Sequence, residues 1–311
     1  TGFVGSHMAD YVLASHPDWE IHGVKRWHLS RMDSVRHIQH RVHWVDCNLT
    51  DPIGVRDMIG KVRPDKVFHF AAESFVSPSW THPIEYMRTN YDATVNLLDA
   101  LRQIESKAPF HIPGSGEEYG EIAEADLPIT EDTNTNPVNP YAVTKIAQDF
   151  IGYVYYKSYG LNVIRTRSFN HEGSRRNKVF GIPWYAYQIA RIEAGLQDKV
   201  IETGHLDDTR NFTHVLDMVE AYWIATEKCQ PGKLYLVGSE EEDTIYTFRQ
   251  ALEMLIEMST VDGITHRQVD EYTRPTNVPF LIADISEFRK ATNWAPKLPF
   301  KRILEDTLAY W

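Results

Sequence analysis

Apolar runs alternate with amphipathic segments through the first half of this chain, and this alternation limits the fold more than any other feature. Five apolar runs are typical of buried parallel strands: Glu20–Val24, Val42–Asp46, Lys66–Ala72, Pro109–Ser115 and Leu161–Ser168. Helical patterns lie between them at Asp51–Ile59, Pro83–Ile104 and Tyr141–Tyr159. Strands and helices that alternate at this spacing predict an α/β fold with a doubly wound parallel sheet and right-handed crossovers.

The pattern becomes irregular after about residue 170, which indicates a second, smaller lobe. Helices are predicted at Ile182–Ala194, His214–Glu227, Thr247–Met258 and Phe300–Ala309, with short strands at Val200–Thr203 and Lys233–Val237. We expect a dinucleotide-binding domain at 1–170, to which 205–240 partly returns, and a substrate-binding lobe at 171–204 and 241–311. Ligands of such folds bind at the carboxyl ends of the strands, so those ends matter most.

The chain opens with two glycines, Gly2 and Gly5, that precede a helical apolar pattern. Their spacing matches the last two glycines of a dinucleotide-binding turn, where the helix N-terminus faces a pyrophosphate. A glycine-containing cap of an ordinary helix is the alternative. The preceding strand and first glycine are absent from the sequence, so we expect it to begin inside the first βα unit of a Rossmann-type fold.

Composition excludes several classes of partner. The chain has 311 residues, of which 42% are hydrophobic and 24% charged, enough for a core in two lobes. No apolar run reaches the roughly 18–20 residues of a membrane span, and no secretory signal is visible. Cys47 and Cys229 form no disulfide framework, which fits a reducing compartment. The net charge of −11 disfavours nucleic acid. We therefore expect a cytoplasmic protein with no membrane or nucleic-acid partner.

Two basic residues, Lys25 and Arg26, end the second strand of the predicted sheet. A cofactor with a free ribose 2′-hydroxyl usually meets an acidic residue at this place, whereas a 2′-phosphate meets arginine. Two cations without an acid favour NADP over NAD; a solvated basic pair is the alternative. Further along, Phe70-Ala71-Ala72 places small side chains at a strand end, where a cofactor can approach the backbone.

Tyr141 and Lys145 are the strongest candidates for chemistry. Four residues apart on a helix that Pro140 would start, they project from one face about 5–6 Å apart. A fixed ammonium beside a phenol is expected to lower the tyrosine pKa from about 10. Such a tyrosine can take a proton from a sugar hydroxyl while a hydride leaves the same carbon. The pair alone is weak, because many amphipathic helices carry it by chance.

A hydroxyl and a carboxylate follow the fifth strand, at Ser115 and Glu117. Ser115 is placed to hydrogen-bond the hydroxyl that Tyr141 deprotonates. Glu117 is placed to act as a base on a carbon acid. A polar turn before a loop is the alternative on local grounds.

Eight segments together resemble the extended short-chain dehydrogenase/reductase superfamily over nearly the whole chain. They are residues 2–5, 22–26, 90–98, 115–120, 141–145, 169–176, 210–215 and 274–278. Within it, the sequence is most similar to the GDP-mannose 4,6-dehydratases and the related GDP-4-keto-6-deoxymannose reductases. The pair Arg175-Arg176 favours the dehydratases, because the reductases compared lack it.

The resemblance implies a role for each matching position. Ser115, Tyr141 and Lys145 match a catalytic triad. Glu117 matches the dehydratase base. Arg210 and Arg274 match arginines that bind the pyrophosphate of a nucleotide sugar, as guanidinium–phosphate geometry favours. The NADP-binding positions are Gly2, Phe3, Val4, Gly5, Lys25, Arg26, Asn48, Leu49, Phe70, Ala71, Ala72, Tyr141, Lys145, Phe169 and His171. The substrate-binding positions are Ser74, Val76, Ser115, Gly116, Glu117, Asn170, Arg176, Arg210, Arg274 and Asn277.

Four positions depart from the family pattern. Gly116 stands where the dehydratases carry a hydroxyl residue, and Asn277 replaces a glutamate. Asn48 replaces an aspartate that contacts adenine, although asparagine still accepts a hydrogen bond. Phe75 stands where histidine is frequent. Gly116 and Asn277 therefore bear directly on the substrate and the reaction.

The histidines at 37, 40 and 43 do not predict a metal site, because no acidic or cysteine ligand is placed with them. We expect no metal.

The resemblance implies an NADP-dependent dehydration of GDP-mannose to GDP-4-keto-6-deoxymannose by internal hydride transfer. The alternatives are a GDP-4-keto-6-deoxy-sugar reductase, a 4-epimerase or a dehydratase of another sugar nucleotide such as a GDP-heptose, and a non-catalytic nucleotide-sugar or NADP-binding protein. It also implies a homodimer built by a four-helix bundle from Pro83–Ile104 and Tyr141–Tyr159, with a homotetramer through Arg175-Arg176 as the alternative.

Overall fold

The computed structural model describes residues 1–311 and contains helices in both halves of the chain. The α-helices are α1 Phe3–Ser15, α2 Pro52–Val62, α3 Pro83–Met87, α4 Ala93–Gln103, α5 Pro140–Tyr159, α6 Gly181–Glu193, α7 Val215–Lys228, α8 Phe248–Met258, α9 Ser286–Thr292 and α10 Phe300–Tyr310. None of these helices combines the length and the apolar composition that crossing a membrane requires.

The strands are short and mostly parallel. They are β1 His22–Lys25, β2 His43–Asp46, β3 Val67–Phe68, β4 Phe110–Ser115, β5 Val163–Ser168, β6 His171–Glu172, β7 Val200–Thr203, β8 Thr209–Asn211, β9 Thr213–His214, β10 Leu234–Val237, β11 Ile245–Thr247, β12 Thr265–Gln268 and β13 Phe280–Leu281. Four of them form a parallel sheet in the order β10-β5-β4-β3, and β1 pairs with β2 in a separate parallel sheet. The predicted parallel α/β architecture is confirmed.

Both faces of the four-stranded sheet are covered, which explains its continuous apolar strands. Neighbouring side chains of β5 point to opposite faces: Val163 packs with α2 and α4, whereas Ile164 packs with α1 and α7. The first of these cores contains Leu98 of α4, and the second contains Tyr222 of α7.

A third core lies in the irregular part of the chain. It joins α6, α8 and α10 through Ile189, Leu252 and Leu304, all fully buried. By contrast, Phe288 of α9 packs with the sheet core that contains Tyr222. The functional division of the chain into a cofactor domain and a substrate lobe stays a prediction.

The structure differs from the sequence prediction in the length of several elements. The helix predicted at 83–104 is interrupted by a π-helical turn at Arg88–Asp92, between α3 and α4. The strand predicted at 66–72 is paired only over β3. The strands β6, β8, β9, β11, β12 and β13 and the helix α9 were not predicted, because most are two to four residues long and show no period.

Candidate active site

The first turn of α1 offers an open helix N-terminus. Gly2 caps the helix in extended backbone geometry and supplies no side-chain hydrogen bond. A Cβ built on Gly2 or Gly5 would meet no atom within 4 Å, so no other group packs against these two positions. The aromatic ring of Phe3 stacks against His171, with ring centroids 6.1 Å apart. These residues fit a dinucleotide pyrophosphate, which binds helix N-termini of this kind.

The basic end of β1 differs from the prediction. Lys25 forms an ion pair with Asp46, because the two residues are register partners at the ends of β1 and β2. From the sequence, no acidic residue was expected beside Lys25 and Arg26. This expectation is wrong, because Asp46 pairs with Lys25. Arg26 has an exposed side chain and forms no ion pair, while its backbone N–H donates to Ser30 Oγ at 2.8 Å. Arg26 is the available cation at this strand end.

The other predicted cofactor positions follow β2 and β3, at the same carboxyl edge of the parallel strands. The Asn48 side chain accepts a hydrogen bond from the Thr50 N–H at 3.3 Å. Leu49 is half-buried, and its carbonyl accepts from the Asn96 amide at 2.9 Å. Phe70 and Ala72 are half-buried and Ala71 is exposed. These side chains leave the edge accessible.

An asparagine cap begins α5 and sets the position of the tyrosine–lysine pair. The side chain of Asn139 accepts from the Ala142 N–H at 2.8 Å, and Pro140 occupies the first turn. This start places Tyr141 and Lys145 in the first two turns, where 8% and 3% of their surfaces are exposed. Both groups are therefore held on one buried helix face.

Burial raises the pKa of Tyr141 above its ordinary value, and a hydrogen bond with Ser115 opposes that rise. The Lys145 ammonium donates to Gln148 Oε1 at 2.5 Å, one helical turn further along. Burial also lowers the pKa of Lys145 to about 8. The expected depression of the tyrosine pKa by the lysine is wrong for this structure, because desolvation of the phenolate outweighs the nearby charges.

The turn after β4 brings the serine and the carboxylates together. Ser115 ends β4, and its Oγ accepts from the Glu117 N–H at 3.2 Å. Glu118 completes a capping box by accepting from the Ser115 N–H at 2.8 Å. The reciprocal bonds fix the turn that carries Ser115 against α5.

Glu117 lies between the start of α5 and the predicted phosphate-binding arginines. Its Oε2 accepts from the side chain of Asn139 at 2.9 Å, so the residue that caps α5 also orients this carboxylate. Its Oε1 lies 3.9 Å from Arg274 Nη1. The carboxylate is close enough to Tyr141 and to Arg210 to affect the pKa of both. The structure thus brings the predicted acid–base groups and arginines to one place.

Arg210 is buried and oriented by backbone carbonyls. Its Nη1 donates to Thr209 at 2.8 Å and to Pro279 at 3.4 Å. Asp208 lies 3.7 Å from the Arg210 guanidinium and accepts from the Asn277 amide at 2.5 Å. Arg274 is more accessible, with 35% of its side chain exposed. Asp208 was not identified from the sequence, because it contacts Asn277, which lies 69 residues further along the chain.

A cavity of about 560 Å³ adjoins these residues. Its walls are formed by residues 121–123 together with Asn277 and Pro279. A volume of this size falls in the range of about 300–1,000 Å³ typical of small-molecule sites. The cavity adjoins Arg210, because Pro279 in its wall accepts a hydrogen bond from Arg210 Nη1 at 3.4 Å.

The basic loop after β6 packs onto its own chain. Arg175 Nη1 lies 2.6 Å from Asp10 Oδ2 of α1, and the His7 ring donates to the Ser174 carbonyl at 2.9 Å. Arg176 pairs with the buried Glu172 at 2.9 Å. Its guanidinium also lies 5.2 Å from the centroid of the Phe3 ring. Arg176 therefore lies near the α1 turn, and its charge also acts on Tyr141.

Phe169 limits the space beside Gly116. A Cβ on Gly116 would lie 3.2 Å from the Phe169 ring, closer than ordinary van der Waals contact. The carbonyl of Phe169 also accepts from the ring of His171 at 2.9 Å, and the Asn170 carbonyl accepts from the Thr213 N–H at 2.9 Å. A side chain at 116 would therefore require the Phe169 ring to shift by a few tenths of an ångström.

The remaining predicted substrate positions lie after β3. Val76 is buried and packs with Tyr86 and Tyr141, whereas Ser74 is exposed. Phe75 contacts Phe180 edge to face, with centroids 5.7 Å apart. Val76 therefore packs in the same buried cluster as Tyr141.

No three or more histidine, cysteine or acidic side chains are grouped as a metal site in this structure. The ring of His37 instead lies 2.7 Å from Asp10, and His43 stacks on His22 with centroids 5.2 Å apart.

Comparison with known proteins places this geometry in a family. A family model described as GDP-mannose 4,6 dehydratase matches residues 1–307. A GDP-6-deoxy-D-mannose reductase of Pseudomonas aeruginosa is 30% identical over 311 residues, covering 100% of this chain and 94% of its own. A GDP-mannose 4,6-dehydratase of Yersinia enterocolitica is 27% identical over 346 residues, covering 99% of this chain and 91% of its own.

Solved structures agree with the observed fold. The structure of RMD from Pseudomonas aeruginosa complexed with NADPH matches with a TM-score of 0.83 and 29% identity, covering 100% of this chain and 95% of that one. The dTDP-glucose 4,6-dehydratase DesIV from Streptomyces venezuelae, with NAD and TYD bound, matches with a TM-score of 0.87 at 22% identity, covering 99% and 94%. The second likeness bears on the fold alone. The Rossmann-type fold expected from the sequence is confirmed.

Proposed function

The chain belongs to the GDP-mannose 4,6-dehydratase family, and we propose that it is an NADP-dependent dehydratase that converts GDP-mannose to GDP-4-keto-6-deoxymannose. The observation that carries this proposal is the convergence of Ser115, Glu117 and Tyr141. Asn139 both caps the helix that carries Tyr141 and donates to the Glu117 carboxylate at 2.9 Å. Asn139 thus positions both Tyr141, which acts in oxidising the hydroxyl, and Glu117, which acts as the base.

The residues at the strand ends fit NADP. The α1 N-terminus at Gly2 and Gly5 would hold the pyrophosphate, and Arg26 would hold the 2′-phosphate. Open space around both glycines supports this assignment. When bound, NADP⁺ supplies a reversible hydride acceptor next to the sugar.

Tyr141 takes the proton of the C4 hydroxyl as the C4 hydride departs. Because burial raises the pKa of Tyr141, its phenolate needs stabilisation, which Ser115 supplies by hydrogen bonding. Lys145, one turn along the same buried face, supplies the positive charge in its protonated form. Loss of the hydroxyl proton and of the C4 hydride converts C4 to a ketone.

The ketone acidifies the C5 hydrogen, which Glu117 removes as a proton. The C6 hydroxyl then leaves as water. Gly116 carries no donor, so the proton for this departure comes from Glu117 or from water. With NADP held at Gly2, Gly5 and Arg26, the hydride taken from C4 would be delivered to C6 and a proton to C5, so the reaction would have no net redox change.

Arg210 and Arg274 bind the pyrophosphate of the substrate. Arg210 is held by two backbone carbonyls, which orients the guanidinium before the substrate arrives. Such local cations are required because the whole chain carries a net charge of −11. The adjoining cavity of about 560 Å³ accommodates part of the nucleotide sugar.

A second candidate activity is the reduction of GDP-4-keto-6-deoxymannose. Gly116 favours it, because a reductase needs no donor for a departing hydroxyl, and the Phe169 ring lies close to this position. In that reaction Tyr141 would give a proton to the C4 oxygen, and Glu117 would not act as a base.

We also propose a homodimer. Large apolar side chains of α5 form an exposed stripe: Val143, Phe150 and Val154, with 46%, 50% and 45% of their surfaces exposed. Their spacing of seven and four residues places them on one helix face, suited to a helical bundle with a second copy. The tetramer alternative has less support, because Arg175 pairs with Asp10 of its own chain.

A direct experiment separates the two activities. Purified protein is incubated with GDP-mannose and NADP⁺, and the sugar nucleotide is analysed by mass spectrometry for loss of water. A parallel reaction contains GDP-4-keto-6-deoxymannose and NADPH, followed by NADPH absorbance. The proposal expects dehydration without net NADPH formation. Stoichiometric NADPH consumption in the second reaction, with no dehydration in the first, would establish the reductase instead.

A further inference from the structure

Two buried arginines in one strand are the most unusual part of the core. Arg165 and Arg167 lie on the same face of β5, with 7% and 3% of their surfaces exposed. Arginine is almost never buried unless it is paired. Both guanidiniums pair with Asp149 of α5: Arg165 Nη2 and Arg167 Nη2 lie 2.9 and 3.0 Å from Asp149 Oδ2.

Arg167 makes a second ion pair that Arg165 does not. Its Nε lies 2.7 Å from Glu118 Oε2, and the Glu118 side chain is fully buried. The other oxygen of Glu118 accepts from the Ser115 N–H at 2.8 Å. A continuous series of contacts therefore runs from α5 through Asp149, Arg167 and Glu118 to the backbone of Ser115.

We propose that Glu118 and Arg167 are positioning residues that hold the Ser115 turn in register with Tyr141. This inference rests on the proposed function, because it concerns the same site. Tyr141, Lys145 and Asp149 follow one another at intervals of four residues on α5, so they share one face. The ion pairs thus connect the turn to the helix face that carries the catalytic tyrosine.

The backbone beside Glu118 is shaped to admit its carboxylate. A Cβ on Gly114 would lie 2.5 Å from Glu118 Oε1 and 2.9 Å from the Thr166 carbonyl. Glycine at 114 therefore leaves the space in which the carboxylate reaches the Ser115 N–H. A carboxylate accommodated this closely has little freedom to shift.

The same carboxylates affect the neighbouring lysine. The charges of Glu118 and Asp149 favour the protonated form of Lys145 and oppose the fall in its pKa caused by burial. Arg167 in turn favours ionisation of Glu118, whose pKa burial raises to about 7. The contacts that position the Ser115 turn therefore also affect the protonation of Lys145.

A positioning role must be distinguished from a purely structural one. Removing one member of a buried ion pair typically destabilises a protein by about 3–5 kcal/mol, whatever its function. Arg165 offers a matched control, because it shares Asp149 with Arg167 and does not contact Glu118. A variant at Arg165 perturbs the same ion-pair cluster without touching the Ser115 turn.

The test uses Glu118→Gln, the double variant Glu118→Gln/Arg167→Met, and Arg165→Lys in the full chain. The Ser115 N–H and Arg167 Nε face different oxygens of Glu118, so the amide group of glutamine can keep only one of these two contacts. We expect kcat to fall about 10²-fold in Glu118→Gln, the effect of displacing a catalytic group by about 1 Å, with KM unchanged. The double variant removes both charges, so it should recover thermal stability without recovering kcat. Arg165→Lys should lose stability and keep the wild-type kcat.

Recovery of kcat together with stability in the double variant would overturn the proposal, as would wild-type kcat in Glu118→Gln. The substrate is whichever of the two GDP-sugars the wild-type protein converts. If it converts neither, the proposed function fails, and a crystal structure of Glu118→Gln decides this inference separately. That structure should show Ser115 displaced relative to Tyr141, and an undisturbed turn would refute the positioning role.

Discussion

Replacing Glu117 by glutamine tests the assignment of this residue as the base that removes the C5 proton. The glutamine oxygen still accepts from Asn139, so the turn keeps its structure. Arg274 is partly exposed and lies 3.9 Å from Glu117, so loss of this ion pair lowers the free energy of unfolding by at most about 1 kcal/mol. Removing a general base lowers kcat by about 10²–10⁴-fold. This corresponds to about 2.7–5.4 kcal/mol of transition-state stabilisation.

The assay follows the reduced cofactor rather than the product alone. Because Ser115 and Tyr141 are unchanged, Glu117→Gln should still oxidise C4, and without elimination the hydride cannot pass to C6 and can only return to C4. We therefore expect NADPH absorbance to rise by up to one equivalent per active site on addition of GDP-mannose and NADP⁺. Glu124→Gln, an exposed carboxylate in the next turn of the chain, is the control and should turn over normally. Wild-type dehydration by Glu117→Gln would refute the reasoning, as would a variant that forms no NADPH at all.

Three further predictions concern pH, packing and assembly. Since the pKa of Lys145 is about 8 and its protonated form is required, kcat should fall as pH rises through 8; a rate that stays constant to pH 10 would contradict this. Burial of Lys145 lowers the free energy of unfolding most below pH 8, and this cost is relieved as pH rises from the folded pKa of about 8 to the ordinary lysine pKa of 10.5. Gly116→Ala should destabilise the protein by about 1–3 kcal/mol in urea unfolding through its contact with Phe169, and no change would contradict that contact. Phe150→Glu should give a monomer in analytical ultracentrifugation, whereas Leu196→Glu, exposed on another surface, should leave the dimer intact; a dimer in both would exclude the α5 interface.

The fold was largely predictable because its main elements carry strong periods. The apolar run before Ser115 and the helix after Pro140 are long enough for their type and approximate ends to be assigned from sequence. The strands β6 and β9, of two residues each, carry no such signal. Their positions are set by tertiary contacts rather than by local pattern.

The sequence predicted which residues form the candidate site better than it predicted their pKa values and ion pairs. Spacing brought Tyr141 and Lys145 to one helix face, as expected. The direction of the tyrosine pKa depends on how deeply the phenol is buried, which no local pattern reports. The pairing of Lys25 with Asp46 depends on the register between two strands. Glu118 was indistinguishable from a turn residue, although two arginines in a buried strand already required carboxylate partners.

The central claim is that one site oxidises C4 of the sugar and returns the same hydride to C6. GDP-mannose carrying deuterium at C4 tests it most directly, with the product analysed by NMR. The account predicts that the 4-keto-6-deoxy product carries deuterium at C6, with none released to added NADP⁺. Deuterium retained at C4 in unconverted GDP-mannose, or deuterium recovered only in free NADPH, would contradict it.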